Sequence, residues 1–307
     1  MVKYVLTSFY ILLFQLANVQ VSFASDLISL FQLKGDFIQG GLIRGHLPTE
    51  GKLLLDGKKV FITHSGDFAF GFGRDAAKQS ELVWITADGS RETQQLQIKQ
   101  RQYRIQKING LPVDKVTPRT RAQKLHIKKD IALTSEARSH QSSYLGFVQK
   151  FIWPAAGRIS GVYGSQRVLN GQPRRPHFGL DIAGPTGSRV IAPADGQVVV
   201  AEPDMYFSGG TVIIDHGGGV FSSFLHLSKI NVRLLQMVKQ GEAIAEMGAS
   251  GRVTGPHLDW RINWFNIRLD PAKLVSAKPP AKVQVREKRH DKIPPRKLIL
   301  PAGGKHD

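Results

Sequence analysis

The chain of 307 residues contains no cysteine. This excludes disulfide frameworks, thiolate zinc sites, iron–sulfur clusters and cysteine nucleophiles together. Any metal held here must be held by His, Asp or Glu. Acidic residues are scarce as well: 24 Asp plus Glu stand against 42 Lys plus Arg, a formal charge of +18. Such a surface attracts polyanions, whether nucleic acid, anionic lipid or an anionic cell-wall polymer. Glycine (31) and proline (16) are too few and too aperiodic for collagen. What is present is a globular composition, 41% hydrophobic, with length for roughly two domains of about 100 to 200 residues.

Long apolar runs are also missing, apart from one at the N-terminus. Lys3 precedes an apolar stretch from Tyr4 to Val21, and Ser22-Phe23-Ala24 offers small residues at a cleavage position. Its strongly apolar part, Phe9 to Ala17, is far shorter than the roughly 20 residues a membrane span needs. Residues 1–24 therefore read as a secretory signal peptide, with no transmembrane segment left after cleavage. Export makes nucleic acid a poor partner and shifts the explanation of the charge to an envelope polyanion.

Residues 25–112 alternate short apolar runs with turn dipeptides. Leu53-Leu54-Leu55 and Val60-Phe61-Ile62 flank Asp56-Gly57; Leu82-Val83-Trp84-Ile85 and the Leu96 run flank Asp88-Gly89. Asp-Gly between such runs signals type I′ hairpins, so a small antiparallel β-sandwich is expected. Phe70-Gly71-Phe72-Gly73 reads as a bulged strand or turn rather than a phosphate loop. Residues 113–150 are basic and poor in apolar clusters, an expected linker or arm with a helix from about Thr120 to Arg138 and a mostly solvated charged face. Residues 151–275 form a second, glycine-rich β domain, and residues 276–307 a basic tail expected to be disordered.

The second domain carries the chemistry. In Pro176-His177-Phe178-Gly179-Leu180-Asp181, Gly179 permits a bent loop running into a strand, so that His177 and Asp181 converge. A neutral imidazole and a carboxylate are a sound pair of zinc ligands. In His257-Leu258-Asp259-Trp260-Arg261-Ile262-Asn263-Trp264 the period of two sends the four apolar residues to the core, and His257, Asp259, Arg261 and Asn263 to the other face. In Phe224-Leu225-His226-Leu227, at the end of a hairpin turned by Gly217-Gly218-Gly219, alternation places Phe224 and His226 on one face. His216, beside that turn, reads as a turn cap or an exposed residue. Each piece is weak alone. Together they supply N/O ligands for an open metal site with imidazoles to spare for acid–base work.

These segments, with Ala192-Pro193-Ala194-Asp195-Gly196, resemble in order and spacing the successive motifs of the lysostaphin/LytM-type zinc endopeptidases, over roughly residues 150–275. The resemblance implies a mainly β protein whose C-terminal domain is an antiparallel β-sheet groove, holding one Zn²⁺ and cleaving peptide cross-links of peptidoglycan. By position it makes His177 and Asp181 zinc ligands, His226 and His257 the catalytic histidines, and Asp259 the third ligand. The last motif departs from the family's His-x-His, since Asp259 stands where histidine is usual. A second carboxylate cancels the remaining charge of a divalent zinc and so weakens it as a Lewis acid. Arg261 and Asn263 are candidate substrate-binding residues on the same face. The signal peptide and the absence of cysteine are compatible with the periplasm of a Gram-negative cell, where the resemblance implies a D-alanyl cross-link to diaminopimelate as the substrate. Other anionic envelope polymers are candidate partners. The competing reading is a domain without catalysis that binds the wall and activates peptidoglycan amidases; another is a wall-anchored structural protein working through its basic arm and tail.

Overall fold

A computed structural model describes residues 26–108, 120–169, 172–284 and 286. The expected signal peptide, the linker stretch 113–119 and the tail from 287 onward lie outside the described residues.

The N-terminal unit comprises α1 (Leu27–Leu30), β1 (Leu42–His46), β2 (Gly51–Leu55), β3 (Lys58–Lys59), β4 (Asp67–Gly71), β5 (Gln79–Thr86), β6 (Arg91–Gln97) and β7 (Ile105–Ile108). Strands β1 and β4 pair as one antiparallel sheet and β3-β2-β5-β6 form a second. Both bury apolar faces on one core, in which Phe31 meets Phe68 and Trp84 edge-on. Asp56 and Gly57 both take positive φ, the type I′ geometry their sequence predicts. Asp88-Gly89 differs: only Gly89 is left-handed, in a longer loop where Asp88 accepts from Ser90 N. That local carboxylate bond supplies an Asx-type turn in place of a two-residue hairpin. Gly71 ends β4 where Leu269 packs against its backbone, leaving no space for a side chain.

Helix α2 (Arg121–Ser139) is N-capped by Thr120, with a reciprocal capping box from Gln123. It is not a free arm. Leu133 and Ala137 pack on Val200, Met205, Ile213 and Phe221; the Asp130 carboxylate accepts from Tyr206 N at 2.8 Å. Nor is its charged surface all solvated, because Arg138 is buried, 7% exposed.

The C-terminal unit runs through β8 (Arg158–Gly161), β9 (Gln166–Leu169), β10 (Gln172–Pro173), β11 (Leu180–Ala183), β12 (Arg189–Ile191), β13 (Gly196–Met205), β14 (Gly209–Asp215), β15 (Val220–Ile230), β16 (Met237–Val238), β17 (Ala243–Met247), β18 (His257–Trp264) and β19 (Ile267–Leu269). Its main sheet is ordered β16-β13-β14-β15-β18-β11-β8, with β12, β17 and β19 paired at its margins. All of its pairings are antiparallel. Leu258, Trp260, Ile262 and Trp264 of β18 are buried in the core, as their period of two predicts. Trp260 packs on Trp153 at 6.2 Å between centroids.

The two units are joined by more than sequence. Strand β7 pairs in parallel with β9. Arg101 bonds Asp270, itself buried, at 2.7 Å, and Arg74 donates to the Gly164 carbonyl at 2.9 Å. One hydrophobic cluster, from Leu27 to Leu269, runs through both.

Candidate active site

The groove lies on the sheet face formed by β11, β18 and β15, with the 174–178 loop and α2 as walls, and encloses about 1360 Å³. Asp181 of β11 stands directly opposite Asp259 of β18. Two like charges facing each other across strands repel, a cost that positive charge beside them offsets. His177 swings in from the loop before β11: its Nε2 is 3.2 Å from Asp181 Oδ1. Neither of those two atoms has a hydrogen-bond partner of good geometry, although both are buried. One donor atom each from His177, Asp181 and Asp259 falls within 4.8 Å of the others.

Glycine makes room for this cluster. A Cβ on Gly179 would overlap Asp259 Oδ1, and one on Gly161 would overlap Asp181 Oδ2. Gly179 is thus required for close approach by a carboxylate rather than for a left-handed turn, since its φ is not in the positive range. Orphaned donor atoms of hard N/O type, in a glycine-floored cradle, fit a zinc ion.

His226 and His257 flank the cluster, ring centroids 4.9 Å apart. The Nδ1 of His226 bonds the Ser250 carbonyl at 2.9 Å, and the Nδ1 of His257 bonds the Gly255 carbonyl at 2.8 Å. A carbonyl can only accept, so each Nδ1 carries the proton and each Nε2 keeps its lone pair. His257 Nε2 lies 3.9 Å from Asp181 Oδ1. Burial holds the His226 imidazole below its usual pKa, partly offset by its bond to Ser250. Burial also opposes protonation of His177, but contact with Asp181 and the charge of Asp259 raise its pKa overall.

His226 reaches the groove against strict alternation. Phe224 is in the core, whereas Leu225 and His226 both line the groove. The expectation that Phe224 and His226 share a face is therefore corrected. The cause is a left-handed residue, φ 66° at His226 itself, beside a register shift between β14 and β15. Such a bulge re-aims a side chain at a site.

Arg261 forks the Asp259 carboxylate: Nε donates to both oxygens at 3.0 Å, and a terminal nitrogen to Oδ2 at 2.5 Å. Burial acts to raise the Asp259 pKa, but the guanidinium's charge and hydrogen bonds hold it below the usual range. Asn263 does not line the groove. It is fully buried, donating to the Phe265 carbonyl and accepting from Arg268, so its amide is occupied in positioning Arg268. His216 is neither exposed nor a turn cap: it is fully buried, Nδ1 on the Asp195 carbonyl and Nε2 on Ser222 Oγ, both at 2.7 Å. Asp215 caps the turn instead, accepting from Gly217 N. Arg138, on the helix read as a linker, lines the groove; nothing in the helical pattern distinguishes it from the other basic residues there.

Peptidase family M23 matches residues 175–271, the span of the cradle and both flanking histidines. These residues are a peptidase family M23 domain. The M23 domain is similar to the peptidoglycan DD-endopeptidase ShyB of Vibrio cholerae, 41% identical over 98 residues, covering 32% of this chain and 23% of ShyB. It is also similar to the murein hydrolase activator NlpD of Escherichia coli, 32% identical over 123 residues, covering 40% of this chain and 30% of NlpD. The chain thus spans less than a third of either relative's length. Among solved structures, one described as a peptidase M23 from Pseudomonas aeruginosa superposes with a TM-score of 0.59 at 27% identity, covering 77% of this chain and 94% of that one. The likeness therefore extends beyond the M23 domain into the N-terminal unit. No helix among the described residues is long and apolar enough to cross a membrane.

Proposed function

We propose that the chain is an exported zinc metalloendopeptidase that hydrolyses peptide cross-links of peptidoglycan in the cell envelope. The observation that carries this reading is the cradle: three convergent N/O donors, two of them orphaned, between two imidazoles whose Nε2 atoms are free to act. His177, Asp181 and Asp259 would hold the zinc, which when bound supplies a Lewis acid for the scissile carbonyl and acidifies water. His226 Nε2 and His257 Nε2 accept a proton from the attacking water, donate hydrogen bonds to the developing oxyanion once protonated, and pass a proton to the leaving amine. Their Nδ1–H bonds to backbone carbonyls keep both rings in the tautomer this work needs. Arg261 supports the third ligand: its fork draws charge from Asp259, offsetting the second carboxylate while leaving that carboxylate further lone pairs for a metal.

That same fork favours a second reading. Arg261 already satisfies Asp259 without metal, which suits a domain that binds the wall and activates amidases; NlpD is named as a murein hydrolase activator. Zinc content and incubation of the full chain with cross-linked peptidoglycan, with and without a chelator, decide between them. Bound zinc near one per chain and chelator-sensitive loss of muropeptide dimers are expected. A folded protein with neither zinc nor cleavage would overturn the peptidase reading.

A further inference from the structure

Beyond the metal cradle, the groove gathers arginines: Arg138 from α2, Arg175 from the loop before β11, Arg261 from β18 and Arg268 from β19 all line it. Only Arg261 has an acidic partner, Asp259. Among the described residues no carboxylate pairs with Arg138, Arg175 or Arg268. Arg138 is 7% exposed; it donates to Ser223 Oγ at 3.2 Å, and its Nε is buried without a partner. Arg268 has the amide oxygen of Asn263 at 2.9 Å. Arg175 lies over the Phe178 ring.

Arg138 is buried and Arg268 half-buried, whereas Arg175 is exposed at the groove edge; like charges drawn out of water without a counterion, as the first two are, are costly. The cost appears in the groups themselves: burial and then the charges of Arg261 and Arg175 bring Arg138 down to about 10, and burial with its arginine neighbours lowers Arg268. Guanidinium forks held apart by packing rather than by carboxylates are preorganised for an oxyanion. The register locates them. Ser223, under Arg138, stands opposite Arg261, and Asn263, which holds Arg268, is the next residue on that face of β18. The cluster therefore begins one same-face step from Asp259 and extends a second, about 7 to 14 Å along the strand.

We propose that Arg138, Arg175 and Arg268, with Arg261 on their metal-facing side, form an anion subsite that binds a carboxylate of the peptide substrate. An extended peptide advances about 3.3 to 3.6 Å per residue, so the carboxylate belongs roughly two to four residues from the bond at the cradle. Helix α2 then contributes a specificity residue to the groove. This rests on reading the groove as a substrate groove, but not on cleavage taking place there. A peptide carboxylate is favoured over a phosphodiester polymer because the arginines share one groove with donors suited to peptide hydrolysis.

Calorimetric titration of the full chain in chelator separates binding from turnover. The probes are cross-linked muropeptide dimers with free carboxylates and the same dimers converted to carboxamides. The wild type is expected to bind the free-carboxylate dimers about ten- to a hundredfold more tightly, as charge-assisted bonds predict. Arg138→Met and Arg175→Ala should each lose most of that preference. Arg138→Met should also melt no lower than wild type, having lost an unpaired buried cation, and the free-carboxylate dimers should raise its melting temperature less than they raise that of wild type. Equal binding of both dimers by the wild type overturns the subsite. So does an Arg138→Met protein that keeps the preference, and so does Arg138-dependent binding of a teichoic acid without binding of the dimers. Carboxylate preference without zinc-dependent cleavage leaves the subsite standing and removes the peptidase reading alone.

Discussion

Asp259 and Arg261 work as a unit, and substitutions should reveal this. Asp259→Ala removes a candidate ligand and also leaves Arg261, whose side chain is 27% exposed, without its partner, a loss expected to cost about 1 to 3 kcal/mol. Adding Arg261→Met should restore much of that stability without restoring zinc, as urea denaturation and equilibrium dialysis would read. Additive losses in the double variant would mean that the two residues are not coupled. His216 makes a pH prediction. Burial brings its pKa down to about 4 from 6.5, so the folded state refuses a proton that the unfolded chain accepts. Its contribution is fully present above pH 6.5 and is lost as pH falls from there toward 4, amounting to about 3 kcal/mol. Asp215, whose pKa burial raises, opposes this at the acid end, so the comparison to make is wild type against His216→Gln. The variant should show a flatter stability profile between pH 6.5 and 4; parallel profiles would sink the assignment.

At the scale of elements, the site depends on how closely backbone segments approach. Gly179, entering β11, has Asp259 Oδ1 and Arg261 Cγ in the space a Cβ would take, whereas nothing lies within 4 Å of a Cβ at Gly255, just before β18. Gly179→Ala should therefore reduce zinc affinity at least tenfold and cost about 1 to 3 kcal/mol of stability, while Gly255→Ala leaves zinc affinity unchanged. If Gly179→Ala binds zinc like wild type, the cradle is assigned wrongly. The period of two made the two faces of β18 legible in advance, because burial on one side of a strand imposes alternation. The same rule misplaced Phe224 against His226, since a bulge with a left-handed residue breaks the period and has no marker in the side-chain pattern. Helix α2 was expected from about Thr120 to Arg138, but its docking on β13 was not legible.

At the scale of the whole molecule, the shared core and the Arg101–Asp270 pair make the N-terminal unit and the M23 domain one body. The described chain should unfold in a single calorimetric transition, and Arg101→Met, which strands the buried Asp270, should lower it without splitting it. Two transitions in the wild type would show that the units are independent. The sequence by itself determined the chemistry available: without cysteine the ligands had to come from His, Asp or Glu, and the spacing of His177, Asp181, His226, His257 and Asp259 named the candidates. It also determined the β character, through turn dipeptides and alternation, because those signals are local. Only the tertiary structure decided that Asp259 is forked by Arg261, that Asn263 and His216 are sealed away from the groove, and that an arginine on a basic helix becomes part of the groove wall. Those outcomes depend on which distant segments meet and how much water they exclude, and neither is encoded at any single position along the chain.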